Sequence, residues 1–409
     1  MPAVFFGGLD FGTSGARLSV IDSEKNLIYS KSISYKSSFQ NPKSWSGACE
    51  ILLASIPIYI KSKIYKLAIS GTSGTLLACD SKGTPLGDAI PYYQACDLNK
   101  ILIESIGVEE HLRTPYSSVT KALKLIEYFG EDILLRHQSD WITGWFLKDW
   151  TYGDEGNNLK LGWDLINESW PKSYSNTKLQ NCLPLIVKSG KIIGQIDHLL
   201  AKRFDLNKKL LIISGTTDSN AAFLAAELDI KEGLTVLGTT LVLKKNINYP
   251  IKEKGITSHR INDQWICGGS SNTGCGILSK FFSDLEIEEL SRQINTSQQT
   301  SLNLLPLNGR GERFPTNDSL LEPILSPRPV SDSLYLHALF EGLARIELKG
   351  WEKLNSLTGS LPTKIVTIGG GSRNPYWRKI REKIIKIPIT TCKKTTSFGT
   401  ALLASNSYQ

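Results

Sequence analysis

The sequence predicts an α/β protein built from a duplicated domain, and three observations carry this. The chain has 409 residues, more than one ordinary core holds and suited to two domains. Short apolar runs of strand length repeatedly end in loops of glycine, serine and threonine. These loops recur in the same order in both halves. Leu9-Asp10-Phe11-Gly12-Thr13-Ser14 resembles Val236-Leu237-Gly238-Thr239-Thr240, and Gly71-Thr72-Ser73-Gly74 and Gly369-Gly370-Gly371-Ser372 each close a later buried strand. The expected domains are residues 1–200 and 201–409, facing each other across a central cleft.

Taken in order, residues 4–21 read as a hairpin and Asn26 to Ser34 as a third strand. Asn41-Pro42 opens a helix through Ala54, with asparagine as cap and proline in the first turn. Lys66 to Ser70 is a short buried strand ending in Gly71-Thr72-Ser73-Gly74-Thr75, and Leu76 to Asp80 is another strand. The stretch from 95 to 200 reads as mainly helical. Trp141, Trp145, Trp150, Trp163 and Trp170 cluster there and most of them are expected to pack in the core, while Asp154 and Asn157 lie in a polar loop that could face a ligand. Leu210 to Ser214 is again a buried strand, followed by Gly215-Thr216-Thr217-Asp218-Ser219-Asn220 and an alanine-rich helix. Asp218 is therefore either the cap of that helix or a carboxylate held at the mouth of a cleft. Leu234 to Leu243 reads as a second hairpin, 331–357 as a long amphipathic helix, Lys364 to Ile368 as a strand, and Pro375 to Ile385 as a helix with proline in its first turn.

Composition narrows the function classes. Apolar residues make up 41% and charged residues 21%, with a net charge of +8. The denser basic groups, Lys208-Lys209, Lys244-Lys245 and Arg378 to Lys386, read either as solvated surface or as a field that attracts anionic substrates such as nucleotides. No aromatic-and-basic nucleic-acid module is present, so no nucleic-acid partner is expected. No apolar run reaches membrane-spanning length, and Met1-Pro2-Ala3 leads directly into a strand, so neither a membrane anchor nor a leader is expected. The seven cysteines are dispersed without a Cys-x-x-Cys pair, which points to a reducing compartment and away from a zinc site. The expected location is cytoplasmic; oligomeric state is left open.

Small residues at strand ends let backbone N–H groups and hydroxyls approach phosphates closely. The Walker pattern is absent, and so is Gly-x-Gly-x-x-Gly after the first strand, which disfavours P-loop enzymes and dinucleotide oxidoreductases. Taken alone, Leu9 to Arg17 is equally an ordinary hairpin and a phosphate site. Two aspartates, Asp10 and Asp218, stand beside such loops, one in each half, an arrangement suited to Mg²⁺-assisted phosphoryl transfer.

With these motifs the chain resembles the FGGY family of carbohydrate kinases, of the sugar kinase/Hsp70/actin superfamily with ribonuclease H-like domains. The matching segments are Leu9 to Ser14, Leu237 to Thr240, Gly369 to Asn374 with Trp377 after it, Gly215 to Ala222, Gly311-Glu312-Arg313 and Phe398 to Ala401. It is similar, more closely, to the short kinases of cyanobacteria and plant plastids that act on D-ribulose, through Leu9 to Arg17, Gly71 to Thr75, Gln94-Ala95-Cys96, Leu159 to Gly162 and Arg310 to Pro315. Longer family members often carry Trp, Asp and Arg in the loop written here Tyr92-Tyr93-Gln94-Ala95-Cys96-Asp97, a departure that bears on substrate identity.

The resemblance implies an ATP-dependent ketopentose kinase using Mg²⁺, with D-ribulose the first substrate and D-xylulose the second. Asp218 is then the catalytic acceptor facing the sugar hydroxyl, and Asp10 and Ser73 join it in binding sugar. Asp10 and Asp218 hold the metal. Gly12, Thr13, Ser14 and Gly15 surround the phosphates, with Gly238, Thr239 and Thr240 opposite. Arg17 is either a further phosphate contact or an exposed strand arginine. Gly370 and Gly371 let adenine lie against the backbone, Asn374 offers an amide and Trp377 a stacking face. The rival of another class is an actin- or Hsp70-like nucleotide switch, and a further rival is a sugar sensor that has lost catalysis. Asp218 and Ser73 are groups a switch does not need, and intact Asp10, Asp218 and nucleotide loops argue against lost catalysis.

Overall fold

The computed structural model describes residues 4–97, 103–104 and 106–407; Met1-Pro2-Ala3, on which the leader expectation rests, lie outside them. The described residues form two compact units, one drawn from Met1–Ala225, Arg260–Asp263 and Lys394–Gln409, the other from Ala226–His259 and Gln264–Lys393. Contacts thus divide the chain differently from a cut at 200/201. The strand that leads to Asp218 pairs with the first sheet, and the C-terminal helix packs on that same sheet, so both belong to the first unit.

The first unit is built on strands β1 (Phe5–Phe11), β2 (Gly15–Ile21), β3 (Leu27–Ser34), β4 (Ile64–Gly71), β9 (Ile192–Gln195) and β10 (Leu211–Thr217), in the order β3-β2-β1-β4-β10-β9. β1, β4 and β10 are parallel to one another and nearly fully buried, as an apolar run covered on both faces must be. Helix α1 (Pro42–Ser55) begins as its sequence requires: Asn41 accepts from the Lys43 N–H and Pro42 takes the first helical position.

Between β4 and β9 lie strands β5 (Leu76–Cys79), β6 (Leu134–His137), β7 (Tyr152–Asp154) and β8 (Leu185–Val187), with helices α2 (Ser118–Phe129) and α3 (Gln138–Leu147). The stretch from 95 to 200 is therefore less helical than its sequence suggests. Its strands of three or four residues are too short to display alternation, and much of the remainder is single turns fixed by side chains such as Asp164, whose carboxylate accepts from Ile166 and Asn167. The tryptophan cluster does pack as expected. Trp141, Trp145 and Trp150 are buried in one core, Trp150 Nε1 donating to Trp141 O and Trp141 Nε1 to Gly83 O. The carboxylate of Asp154 does not face a ligand. It is buried and spent on Ser139 Oγ, the Asn157 N–H and Asn157 Nδ2.

Helix α4 (Asp218–Ala225) follows β10, and the terminal α8 (Thr396–Ser405) lies between the sheet and α4. Two glycines permit this sandwich. A Cβ on Gly8 of β1 would stand 2.1 Å from Ala401 N, and one on Gly399 would stand 1.9 Å from Ala221 O.

The second unit repeats the plan. Strands β11 (Gly233–Leu237), β12 (Leu241–Ile247), β13 (Ile256–Ile261), β14 (Gln264–Ser270), β15 (Ile365–Ile368) and β16 (Ile389–Thr391) take the order β13-β14-β12-β11-β15-β16. β11 pairs antiparallel with β12 and parallel with β15, as β1 pairs with β2 and β4. The duplication seen in the loops is thus a duplication of topology. Helices α5 (Asp284–Arg292), α6 (Asp332–Thr358) and α7 (Pro375–Ile385) complete the unit. A buried ion pair fixes two of them to the sheet. Glu347 of α6 receives Arg381 of α7 through both Nε (2.6 Å) and an Nη (2.7 Å), while Thr235 of β11 and Thr367 of β15 complete their hydrogen bonds.

Among the described residues no helix is long and apolar enough to cross a membrane.

Candidate active site

In the first unit, the register of three parallel strands sets the site. Asp10 of β1 lies opposite Ser70 of β4, and Ser70 opposite Thr216 of β10; one residue further on, Phe11, Gly71 and Thr217 stand in line. The residues that follow these three ends are the Gly12 hairpin, the Thr72 loop and Asp218. Ligands of α/β sheets gather at the carboxyl ends of parallel strands, and three segments far apart in sequence meet there.

Asp10 is only 5% exposed. Ser70 Oγ donates to its Oδ1 at 3.1 Å and also lies 2.8 Å from Thr400 Oγ1. Burial, and then the charge of Asp218, push the Asp10 carboxyl up to about 7, against the opposing pull of Ser70 and Arg17. Arg17 is exposed on β2 directly across from Asp10. Asp218 is half-buried at the first residue of α4, where the Ser219 N–H donates to its Oδ1 at 2.6 Å. The cap of that helix is not Asp218. Thr217 Oγ1 accepts from the Asn220 N–H, which leaves the Asp218 carboxylate at the strand end. Its charge also raises the phenol of Tyr92, after burial. Asp10 and Tyr92 therefore both stand within its field.

The hairpin closes through the Gly12 N–H donating to Gly15 O at 3.0 Å, with Thr13 and Ser14 exposed at its tip. The loop after β4 turns at Gly74, whose φ of +88° suits glycine. Thr72 donates to Gln138 Oε1 through both its N–H and its Oγ1, Thr75 Oγ1 lies 2.7 Å from Thr72 Oγ1, and Lys121 Nζ donates to Gly74 O at 3.0 Å. Ser73 stands half-buried between these anchored neighbours.

In the second unit, Gly238, Thr239 and Thr240 form the turn between β11 and β12. Gly238 O and Thr239 O accept from the N–H groups of Cys275 and Gly276. Leu241 N–H donates to Thr273 O, and the backbone around Ser271–Thr273 is held by Glu312, which accepts from Ser271 Oγ (2.6 Å) and the Asn272 N–H (2.8 Å). After β15, Gly369 adopts φ +94° beside Leu237, and a Cβ on Gly370 would meet only an Arg373 Nη, at 3.9 Å. Gly369 and Gly370 are exposed backbone at the end of the parallel pair β11 and β15.

Two expected nucleotide contacts are placed elsewhere. Trp377 is 2% exposed and stacks on Phe340 with ring centroids 4.9 Å apart and planes within 8°. It is a core residue beneath the glycine loop, since a Cβ on Gly371 would meet its ring at 2.6 Å. Asn374 caps α7, its Oδ1 accepting from the N–H groups of Tyr376 and Trp377, and its Nδ2 donates to Ser291 Oγ of α5. Both of its polar ends are occupied. The same residues that sharpen the loop into a helix start are thereby withdrawn from a ligand.

Three residues beside the site carried no assignment in the sequence. Tyr92 belongs to the loop marked as departing from the longer kinases, and its N–H donates to Thr75 Oγ1. Gln138 and Tyr35, which donates its N–H to Ser14 O and its phenol to Gly12 O, sit at ordinary strand-to-helix and strand-to-loop junctions with no motif to mark them.

Against known proteins, residues 235–408 match the family model described as FGGY family of carbohydrate kinases, C-terminal domain. Similarity to curated proteins runs further: the xylulose kinase of Staphylococcus epidermidis is 23% identical over 442 aligned positions, covering 97% of this chain and 87% of that protein. The fold agrees over the full length. A xylulose kinase from Brucella ovis superposes with a TM-score of 0.85 at 21% identity, covering 98% and 90% of the two chains. Glycerol kinase from Plasmodium falciparum, solved with ADP, gives 0.79 at 19% identity, covering 98% and 88%. The fold is the duplicated two-domain α/β fold of actin, Hsp70 and the FGGY kinases.

Proposed function

We propose that this chain transfers the γ-phosphoryl group of ATP to the terminal 5-hydroxyl of a ketopentose. The observation that carries the reading is the pairing of Asp10 and Asp218 at one sheet end, flanked by the Gly12–Gly15 hairpin and the Ser73 loop. The motif resemblance favours D-ribulose, and the relatives named xylulose kinase favour its C3 epimer, D-xylulose.

Phosphoryl transfer passes through a loose transition state, so the protein's work is positioning and charge stabilisation rather than strong deprotonation. Asp218 orients the sugar hydroxyl and accepts its proton late. The Ser219 N–H, bonded to it at the helix start, fixes its orientation. Ser73 offers its hydroxyl to the sugar. Thr13, Ser14 and the hairpin N–H groups, and Thr239 and Thr240 in the second unit, are assigned to the phosphates. The exposed backbone at Gly370 is assigned to adenine.

The two carboxylates fit a divalent cation. Asp10 is held near 7 by burial and by its neighbour's charge, and a cation relieves both. Asp10 and Asp218 would hold Mg²⁺, which when bound neutralises charge on the transferring phosphates.

The test is ADP release with ATP and Mg²⁺ over D-ribulose, D-xylulose, L-ribulose, ribitol and glycerol. The reading expects turnover stimulated by a D-ketopentose above the polyols. Equal or absent stimulation across the panel contradicts it.

A further inference from the structure

The motif Gly311-Glu312-Arg313 has no task in the proposed reaction, yet its three residues grip three consecutive residues of another segment of the second unit. Gly311 O accepts from Asn272 Nδ2 at 3.0 Å. The Glu312 carboxylate accepts from Ser271 Oγ at 2.6 Å and from the Asn272 N–H at 2.8 Å. Arg313 donates to Ser270 O at 2.6 Å and to Ser270 Oγ at 2.8 Å. Glu312 is only 3% exposed, and a carboxylate is kept that deep only where donors compensate it. The gripped segment in turn holds the Gly238-Thr239-Thr240 turn. The Ser271 N–H donates to Leu241 O (2.9 Å) and the Leu241 N–H to Thr273 O (2.7 Å), while the Thr273 N–H donates to the same Ser271 Oγ that donates to Glu312. Gly274 follows, so close to the turn that a Cβ on it would stand 2.5 Å from Thr240 C. Gly238 O and Thr239 O accept from the N–H groups of Cys275 and Gly276, and Thr240 O accepts from that of Gly238. With its three carbonyls engaged, the turn has N–H groups and hydroxyls to offer an anion.

We infer that Glu312 is a positioning residue for the nucleotide phosphates: through Ser271 and Thr273 it fixes the Thr239-Thr240 turn in the form that receives them. The inference rests on the kinase reading above, which assigns that turn to the phosphates. A carboxylate suits the task. One of its oxygens takes the Ser271 hydroxyl and the other the Asn272 N–H, and hydrogen bonds to a charged acceptor are stronger than neutral ones. A turn ordered before the ligand arrives spares binding the cost of ordering it. A residue that only packed the unit together would, when lost, loosen the whole nucleotide site. A residue acting through the turn is felt by the phosphates and not by adenine, whose assigned backbone at Gly370 follows a different strand, β15.

The test is ligand binding to the full chain without sugar, using a non-hydrolysable ATP analogue with Mg²⁺ by calorimetry and adenosine by ligand-observed NMR, which reads weak affinities. Glu312→Gln keeps the size and one acceptor oxygen and removes the charge. It is expected to weaken the analogue about 10-fold and to leave adenosine within about 2-fold. Ser271→Ala removes only the hydroxyl that links Glu312 to the Thr273 N–H, and is expected to show the same pattern at about 5-fold. This second variant keeps the test decisive if the first folds poorly. Affinity for the analogue unchanged in a folded variant, or an equal loss for both ligands, overturns the inference, as does a wild-type chain that does not bind the analogue. Because neither ligand is a sugar, lack of turnover on ketopentoses would contradict the proposed function and leave this result to stand or fall separately.

Discussion

Ser70 Oγ donates to Asp10 Oδ1 at 3.1 Å and, with the charge of Arg17, supports a carboxylate that is otherwise desolvated and repelled by Asp218. Asp10 is therefore destabilising when ionised without a cation. Its folded pKa, about 7, lies above its ordinary 3.8, so the native state binds the extra proton between these values and metal-free stability falls as pH rises through 7. Asp10→Asn is expected to raise the melting temperature of metal-free protein at pH 8 by about 5 °C, from a gain of roughly 2 kcal/mol. The gain should vanish near pH 3, below both values, where the wild-type carboxyl is protonated in both states. Scanning calorimetry in chelator at the two pH values checks this.

The same shift sets a competition between protons and Mg²⁺. At limiting Mg²⁺ the rate should fall as pH drops below about 7, where Asp10 takes up its proton. Raising Mg²⁺ should move that limb to lower pH. Initial rates over pH 5.5–8.5 at two Mg²⁺ concentrations check it, and a limb that ignores Mg²⁺ would remove Asp10 from the metal site.

The placement of Trp377 against Phe340 separates stability from nucleotide binding. Trp377→Leu opens a cavity in a tightly packed core and is expected to cost about 3 kcal/mol. Measured below its lowered melting temperature, KM for ATP should stay within about 2-fold, since the space over Gly370, not this ring, is assigned to adenine. A large rise in KM alone would return the indole to the nucleotide site.

Glu347 and Arg381 are each about 1% exposed and bond to one another and to Thr235 and Thr367. Removing one partner leaves a buried charge. Arg381→Met should cost about 3–5 kcal/mol, and adding Glu347→Met should recover much of it. Chemical denaturation of the single and double variants measures the difference.

How legible this was in the sequence follows from the kind of signal each element carries. The strands ending at Phe11, Gly71, Thr217, Leu237 and Ile368 are apolar runs cut off by glycine and hydroxyl residues, so both hairpins and their duplication could be read directly. The helix at Pro375 has its cap and its proline in the correct places and begins there. The region from 95 to 200 misleads because β7 and β8 are three residues long and their order comes from buried side-chain bonds. Asp10, Ser73 and Asp218 lie at or just beyond the ends of three adjacent parallel strands. Asn374 is an N-cap and Trp377 a stacked core ring, and both look the same in sequence as a ligand contact. Tyr35 and Gln138 left no mark, since what distinguishes them is their hydrogen bonds to the loop backbones, Tyr35 to Gly12 and Ser14 and Gln138 to Thr72.

The most direct test concerns Asp218, whose carboxylate is free of the capping duty that Thr217 performs. ADP release stimulated by the preferred ketopentose should be measured for wild type and Asp218→Asn, alongside the affinity of each for ATP. The account predicts a fall in kcat of about 10²–10⁴-fold with ATP affinity essentially kept. Sugar-stimulated turnover near the wild-type rate in Asp218→Asn would contradict it.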